Sequence, residues 1–294
     1  MSDETNNPEY RGRFAPTPSG PLHFGSIISA LGSYLQAKQH NGQWFVRIED
    51  VDLPRTIFGS DKVILNQLEA IGLTWDSDIV YQSERTPVYH LAIETLSSLG
   101  HTFSCSCTRK KISIKPHSCA CSQGIADSLS RYSIRIRTDN QIITVNDLLQ
   151  GKYTQSLMSD VGDFIVKRTD GLFAYHLAVT VDDAEQNINQ IVRGADLLNS
   201  TPRQIYIQKL LGLPTPTYLH LPVAINKDGS KVSKRSHAAE IDLKNPSRVI
   251  FEALQFLGQM PPSEAIHSDL ESLMKWAIKN WDINSIPKEK EIKI

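Results

Sequence analysis

Polyphosphate chemistry needs positive charge and free N–H groups around an oxyanion, and two segments of the chain supply them. The first is "RFAPTPSGPLHFGS", residues 13–26, where prolines stiffen a loop around His23 while Gly20 and Gly25 permit close approach. It runs straight into "IISALGSYLQAKQH", a helical stretch that would turn its positive end and free N–H groups back on the loop. That arrangement is an anion site with His23 as a side-chain donor. A rigid loop closed by a capping histidine is the plainer alternative. The second segment, "INKDGSKVSKRSHA", sets Lys231, Ser233 and Lys234 in a Gly- and Ser-rich loop after a strand. Two lysines three apart, with a small hydroxyl between, suit a polyphosphate whose charge grows at the leaving group. Alone, such a run also fits an ordinary solvated loop.

The third cluster is sulfur. Cys105, Cys107, Cys119 and Cys121 are all the cysteines of the chain, arranged as "CSC" and "CAC". Disulfides are not expected in a cytoplasmic protein. Four thiolates in two close pairs suit tetrahedral zinc, although C-x-C is tighter than the usual spacing. Such a zinc would be structural, because protein ligands fill every position. His117 competes for one position, and a metal-free cluster is the alternative.

These groups need a scaffold. Over residues 1–104 strands and helices alternate: "YRGRFAP", then a helix from Leu22 to His40 with Ile27, Ile28, Leu31, Tyr34 and Leu35 on its apolar face. The strand "QWFVRIED", helices at Asp61–Ile71 and Pro87–Leu99, and the strand "HTFSC" come next. This alternation predicts a parallel sheet covered on both faces, with ligands at the carboxyl ends of its strands. From 105 to 180 the pattern turns shorter, basic and β-rich ("YSIRIRT", "QIITVND", "DFIVKRTDG", "LFAYHLAVTVDD"), which reads as an insertion containing the 105–121 cysteine segment. Alternation resumes over 181–240 with the helix "TPRQIYIQKLLG" and the strand "YLHLPVAIN". Residues 241–294 read as a small helical domain with a charged tail, "IPKEKEIKI". The fold class is therefore α/β, a Rossmann-type parallel sheet split by an insertion.

Bulk properties bound the partners. Of 294 residues, 40% are hydrophobic and 21% charged, ordinary values for a chain with a substantial core. No stretch approaches the roughly 18 apolar residues of a membrane span. The polar start lacks a signal peptide, so the cytoplasm is the expected compartment. A net charge of −1 does not advertise a nucleic-acid binder, yet "CTRKKISIKPH" and "RYSIRIRTD" are locally basic, and binding depends on where charge sits.

Taken together, "HFGS" and "KVSKR" flanking a split α/β domain resemble the "HIGH" and "KMSKS" elements of class I aminoacyl-tRNA synthetases. Ser26 stands in place of histidine, Val232 of methionine and Arg235 of serine. "RFAPTPSGPLHFGS", "RIEDVDLPR" and "IVRGADLLNSTPRQ" look like the glutamyl-tRNA synthetase family. The resemblance implies that Pro16, His23, Gly25, Ser26, Lys231, Ser233 and Lys234 bind ATP, with His23, Lys231 and Lys234 catalytic. It implies a glutamate site at Arg13, Phe14, Ala15, Pro16, Thr17, Glu49, Tyr175 and Arg193. Glutamate carries two carboxylates and one ammonium, so its site wants arginines and one acid. Arg13 and Arg193 can clamp carboxylates, Glu49 can hold the ammonium, and Tyr175 can donate its hydroxyl. A structural ion pair is the alternative for each, and which arginine takes which carboxylate stays open.

The likeness spans roughly residues 11–245 and fits the short branch of that family, the glutamyl-Q tRNA(Asp) synthetases, because no anticodon-reading domain is expected beyond residue 245. That group usually has C-x-C followed by Tyr-x-x-x-Cys; here His117-x-x-x-Cys121 has that spacing, with Cys119 between. The resemblance implies ATP- and Mg²⁺-dependent activation of L-glutamate, then transfer to the queuosine base at the wobble position of tRNA(Asp). The expected partners are L-glutamate and queuosine-bearing tRNA(Asp), with structural Zn²⁺, no membrane and a monomeric enzyme. A shortened glutamyl-tRNA synthetase charging the tRNA 3′ end is one rival. A non-catalytic RNA-binding paralogue is another.

Overall fold

The computed structural model describes residues 9–107, 120–123, 131–226, 229 and 243–294. Its elements in order are β1 (Arg11–Phe14), α1 (Phe24–Gln39), β2 (Gln43–Ile48), α2 (Ser60–Ala70), β3 (Val80–Tyr81), α3 (Thr86–Ser98) and β4 (Thr102–Cys105). Then come β5 (Ser133–Ile136), β6 (Ile142–Asp147), β7 (Gly151–Ser156), α4 (Leu157–Asp160), β8 (Phe164–Lys167) and α5 (Tyr175–Glu185). The chain closes with β9 (Gln190–Gly194), α6 (Thr201–Leu211), β10 (Thr217–Leu221), β11 (Val223–Ile225), α7 (Pro246–Phe256), α8 (Leu270–Asn280) and β12 (Glu291–Lys293).

Strands β1, β2 and β3 pair in parallel, as do β9 and β10. The two groups meet where the Asn189 N–H donates to the Arg11 carbonyl (3.1 Å) and the Arg11 N–H to Asn189 Oδ1 (2.9 Å). Strand order thus reverses between β1 and β9, and the crevice at their carboxyl ends is where such sheets bind ligands. Helix α1 is buried along Ile27, Ile28, Leu31 and Leu35, and on much of its remaining surface too. Its first turns, at Gly25, Ser26 and Ser29, line that crevice.

Within 105–180 two expectations change. Strand β6 pairs in parallel with β10 and carries the hairpin partner β7, so this part extends the central sheet; β4, β5 and β8 form a separate antiparallel sheet. "AYHLAVTVDD" is helix α5, not a strand. Val179, Thr180 and Val181 favour strands locally, but burying Leu177, Ala178 and Val181 with the α6 residues Ile205 and Tyr206 outweighs that preference.

The carboxyl-terminal helices share a core with the first half. Ile250, Leu254, Leu273 and Trp281 belong to the apolar cluster of Leu31, Leu35 and Trp44, and the Trp281 indole donates to Gln36 Oε1 (2.6 Å). Burial of each such side chain contributes about 1.5–3 kcal/mol. The charged tail forms β12, parallel to β11. Among the described residues no helix is long and apolar enough to cross a membrane.

Candidate active site

The loop after β1 is held from outside by α2. Gly20, at φ 122°, adopts a backbone that side-chain-bearing residues rarely take, and its N–H donates to Ser60 Oγ (2.6 Å). The Leu22 N–H donates to Gln67 Oε1 (2.7 Å), and the Glu49 N–H after β2 donates to the Pro16 carbonyl (2.9 Å). Stiffness written into the prolines is thus reinforced by hydrogen bonds from two neighbouring elements. The loop delivers His23 as the N-cap of α1: Nδ1 accepts from the Ser26 N–H at 3.2 Å. The capping alternative is therefore realised. It also makes Nε2 the protonated nitrogen of the neutral ring, 3.2 Å from Ser26 Oγ, so an anion here would meet the His23 ring and the Ser26 hydroxyl together.

Behind the loop lies a cleft of about 380 Å³ at the carboxyl ends of β1 and β9. Arg13, Phe14, Ala15, Pro16, Thr17, His23, Gly25, Ser26, Glu49, Tyr175 and Arg193 all line it, so the described residues expected to bind ATP and glutamate line one cavity. Lys231, Ser233 and Lys234 lie outside the described residues, as do His117 and Cys119.

Charge in the cleft is arranged unevenly between the two arginines. Arg13 is buried and gripped by Asp183, Nε to Oδ1 at 3.0 Å and Nη2 to Oδ2 at 3.2 Å. Asp183 also lies 2.8 Å from Nη2 of Arg47, a fully buried arginine that reaches Asp182 (3.6 Å) and Glu49 (3.7 Å) as well. Burial acts to raise the Asp183 pKa, but Arg13 and Arg47 outweigh it and hold the carboxyl below its ordinary value. Burial acts to lower the Arg47 pKa; the carboxylates of Asp183, Asp182 and Glu49 reverse that and strengthen its hold on the proton. Asp182 is further bound by Gln82, Arg85 and the Tyr89 hydroxyl.

Arg193 differs. Its Nη2 donates to Thr201 Oγ1 and Gln204 Oε1 (both 2.7 Å), its Nε to His220 Nε2 (3.1 Å) and its Nη1 to the Tyr175 hydroxyl (3.3 Å). Every described partner is neutral, so among the described residues this cation has no carboxylate of its own. Glu49 is its counterpart: burial pushes the carboxyl up to about 7, against the pull of Arg47 and Arg13. Burial likewise raises the Tyr175 hydroxyl, which stays a donor. A cleft holding a guanidinium whose described partners are all neutral, a phenol donor and a carboxylate poised to ionise can take a small zwitterion with an extra acid.

Sequence reasoning missed Arg47, Asp182, Asp183 and His220. The signals were present as charges set inside apolar stretches, "FVRIED", "AVTVDDA" and "YLHLP", where a buried ionic group must find a partner.

Outside the cleft lining, the sulfurs of buried Cys105 and half-buried Cys107 and Cys121 lie within 4.8 Å of one another. Zinc–sulfur bonds of about 2.3 Å put tetrahedral sulfurs roughly 3.8 Å apart. The three thiols therefore fit three corners of a zinc site after a small contraction.

Residues 9–265 match the family model described as tRNA synthetases class I (E and Q), catalytic domain. The chain is 46% identical over 290 residues to the glutamyl-Q tRNA(Asp) synthetase of Aromatoleum aromaticum, covering 96% of this chain and 92% of that protein. It is 44% identical to that of Chromobacterium violaceum, over 96% and 97% of the two chains. The fold matches the crystal structure of glutamate-tRNA synthetase from Elizabethkingia anophelis with a TM-score of 0.80 at 24% identity, over 96% of this chain and 67% of that one. The chain belongs to the glutamyl-Q tRNA(Asp) synthetase family of class I synthetases.

Proposed function

We propose that this enzyme uses ATP to convert L-glutamate to glutamyl-adenylate and then transfers the glutamate to the queuosine base of tRNA(Asp). The relatives named for that substrate support the acceptor. The observation that carries the activation half is Arg193, a buried cleft arginine whose described partners are all neutral, set in one cavity with Glu49 and the start of α1.

Glutamate enters with a carboxylate on Arg193 and the Tyr175 hydroxyl, and its ammonium on Glu49, which ionises in response. Arg13, with Nε and Nη2 engaged by Asp183, offers Nη1 to the second carboxylate. ATP, arriving with Mg²⁺, lies along residues Pro16 to Ser26, its phosphates facing His23 Nε2–H, Gly25, Ser26 and the positive end of α1. An oxygen of the glutamate α-carboxylate attacks the α-phosphorus, and the bond to the β-phosphate oxygen breaks, releasing pyrophosphate. Lys231, Ser233 and Lys234 meet the departing charge. A hydroxyl of the queuosine cyclopentenediol then attacks the acyl carbon; AMP leaves, and an ester joins glutamate to the base.

The other parts support this chemistry. Zinc on Cys105, Cys107 and Cys121, with Cys119 or His117 as fourth ligand, staples the 105–121 segment of the 105–180 insertion and supplies no reaction step. The catalytic halves, 1–104 and 181–240, carry the cleft, and the helices of 241–294 form a stem-contact-like surface for tRNA. The enzyme acts as a cytoplasmic monomer. The test is transfer of labelled glutamate to tRNA(Asp) and tRNA(Glu), each with and without queuosine. Only queuosine-bearing tRNA(Asp) should accept; charging of tRNA(Glu) lacking queuosine would establish the shortened-synthetase reading instead.

A further inference from the structure

Arg193 is aimed by a second layer of buried groups. His220, in β10, has a fully buried ring; Nδ1 lies 2.6 Å from Asp147 Oδ2, and Nε2 lies 3.1 Å from Arg193 Nε. Arginine nitrogens only donate, so Nε2, which also has the Thr201 hydroxyl 3.1 Å away, must be the bare acceptor and Nδ1 must carry the proton. Asp147, at the end of β6, fixes that tautomer. Its Oδ1 accepts the backbone N–H groups of Leu149 (3.1 Å), Gln150 (2.8 Å) and His220 (3.2 Å), which anchor the carboxylate with no lysine or arginine paired to it among the described residues. Burial, and then the neighbouring Arg193 charge, also lower the His220 pKa against the pull of Asp147. With Nε on His220 and Nη2 on Thr201 and Gln204, the guanidinium can present only its Nη1 edge, beside Tyr175, to the cleft.

We infer that Asp147 and His220 are positioning residues that lock Arg193 in one orientation for a substrate carboxylate. This rests on the reading of Arg193 as a glutamate-binding residue. An Asp147→Asn side chain would donate to Nδ1, force the proton onto Nε2 and set two donors against each other at Arg193 Nε. His220→Asn keeps a donor near Nδ1 but loses the acceptor, whereas His220→Gln places an amide oxygen near Nε2.

Two measurements test this. Nitrogen-15 NMR of histidine-labelled protein, with the His220 signal assigned by its loss in His220→Gln, should show the Nδ1–H tautomer; an Nε2–H ring overturns the inference. Calorimetric titration with L-glutamate should show Kd raised roughly tenfold or more in Asp147→Asn and His220→Asn, with His220→Gln within about threefold of wild type. ATP affinity should hold throughout. Unchanged glutamate Kd in both weakened variants, or ATP and glutamate affinities falling together as the fold loosens, overturns it. If Asp147→Asn does not fold, the two His220 variants still decide. Wild-type protein that has the Nδ1–H tautomer but binds no glutamate keeps the relay and refutes the substrate.

Discussion

Lowering the pH from 8 to 6 should weaken glutamate binding about tenfold, because protons and the substrate ammonium compete for Glu49. The carboxyl is 8% exposed and sits 3.7 Å from Arg47; burial raises its pKa to about 7 despite Arg47 and Arg13. Binding the ammonium requires the ionised form, so affinity is intact above about 7 and lost below it. Proton competition multiplies Kd by 1 + 10^(7 − pH), roughly 1.1 at pH 8 and roughly 11 at pH 6, a difference of about 1.4 kcal/mol. The same group acts oppositely on the stability of the free enzyme. Its folded pKa lies above the ordinary 4.5, so its contribution declines as pH rises from 4.5 to about 7. Calorimetry at both pH values, in buffers of different ionisation enthalpy, should also show about 0.9 protons released per glutamate bound at pH 6. The Glu49→Gln variant should bind weakly and lose the slope. A Kd that stays flat between pH 8 and 6, or a slope that survives in the variant, would refute the assignment of Glu49.

Other parts of the site make separate commitments. Arg193→Lys keeps the charge but loses the fork of donors, so glutamate Kd should rise about 10- to 100-fold while ATP affinity holds; equal glutamate affinity would remove Arg193 from the site. Asp183→Asn strips the shared carboxylate from two buried arginines and should cost about 3–5 kcal/mol in urea denaturation, and a loss under about 1 kcal/mol would contradict the ionic core. Because Asp183 is held below its ordinary 3.8, its stabilisation is complete above that pH and fades as pH falls through the lower folded value. Protein purified without chelators should carry about one zinc per chain by metal analysis, and metal-free protein would rule out the site at Cys105, Cys107 and Cys121.

What could be read from sequence was local. The segment 13–26 announced its own rigidity and its anion-facing helix, and every site residue it contributed lines the cleft. Glu49, Tyr175 and Arg193 were found through family likeness, and the sheet then brings them together from three distant stretches. The partnerships that tune them were not legible: Arg13 and Asp183 are 170 positions apart, and His220 and Asp147 are 73 apart. No local pattern encodes such pairs; only the polar residue in an apolar run hints that one exists. Helix α5 reads as a strand because β-branched residues crowd its centre, and the docking of β6 against β10 depends on tertiary packing that hydrophobic periodicity does not report.

The central claim is that glutamate is joined to the anticodon rather than to the 3′ end. Queuosine-bearing tRNA(Asp) charged with labelled glutamate should be cut by a guanosine-specific ribonuclease, and the fragments separated. Label is expected on the anticodon-loop fragment that contains the wobble base. Label on the 3′-terminal fragment would contradict that claim.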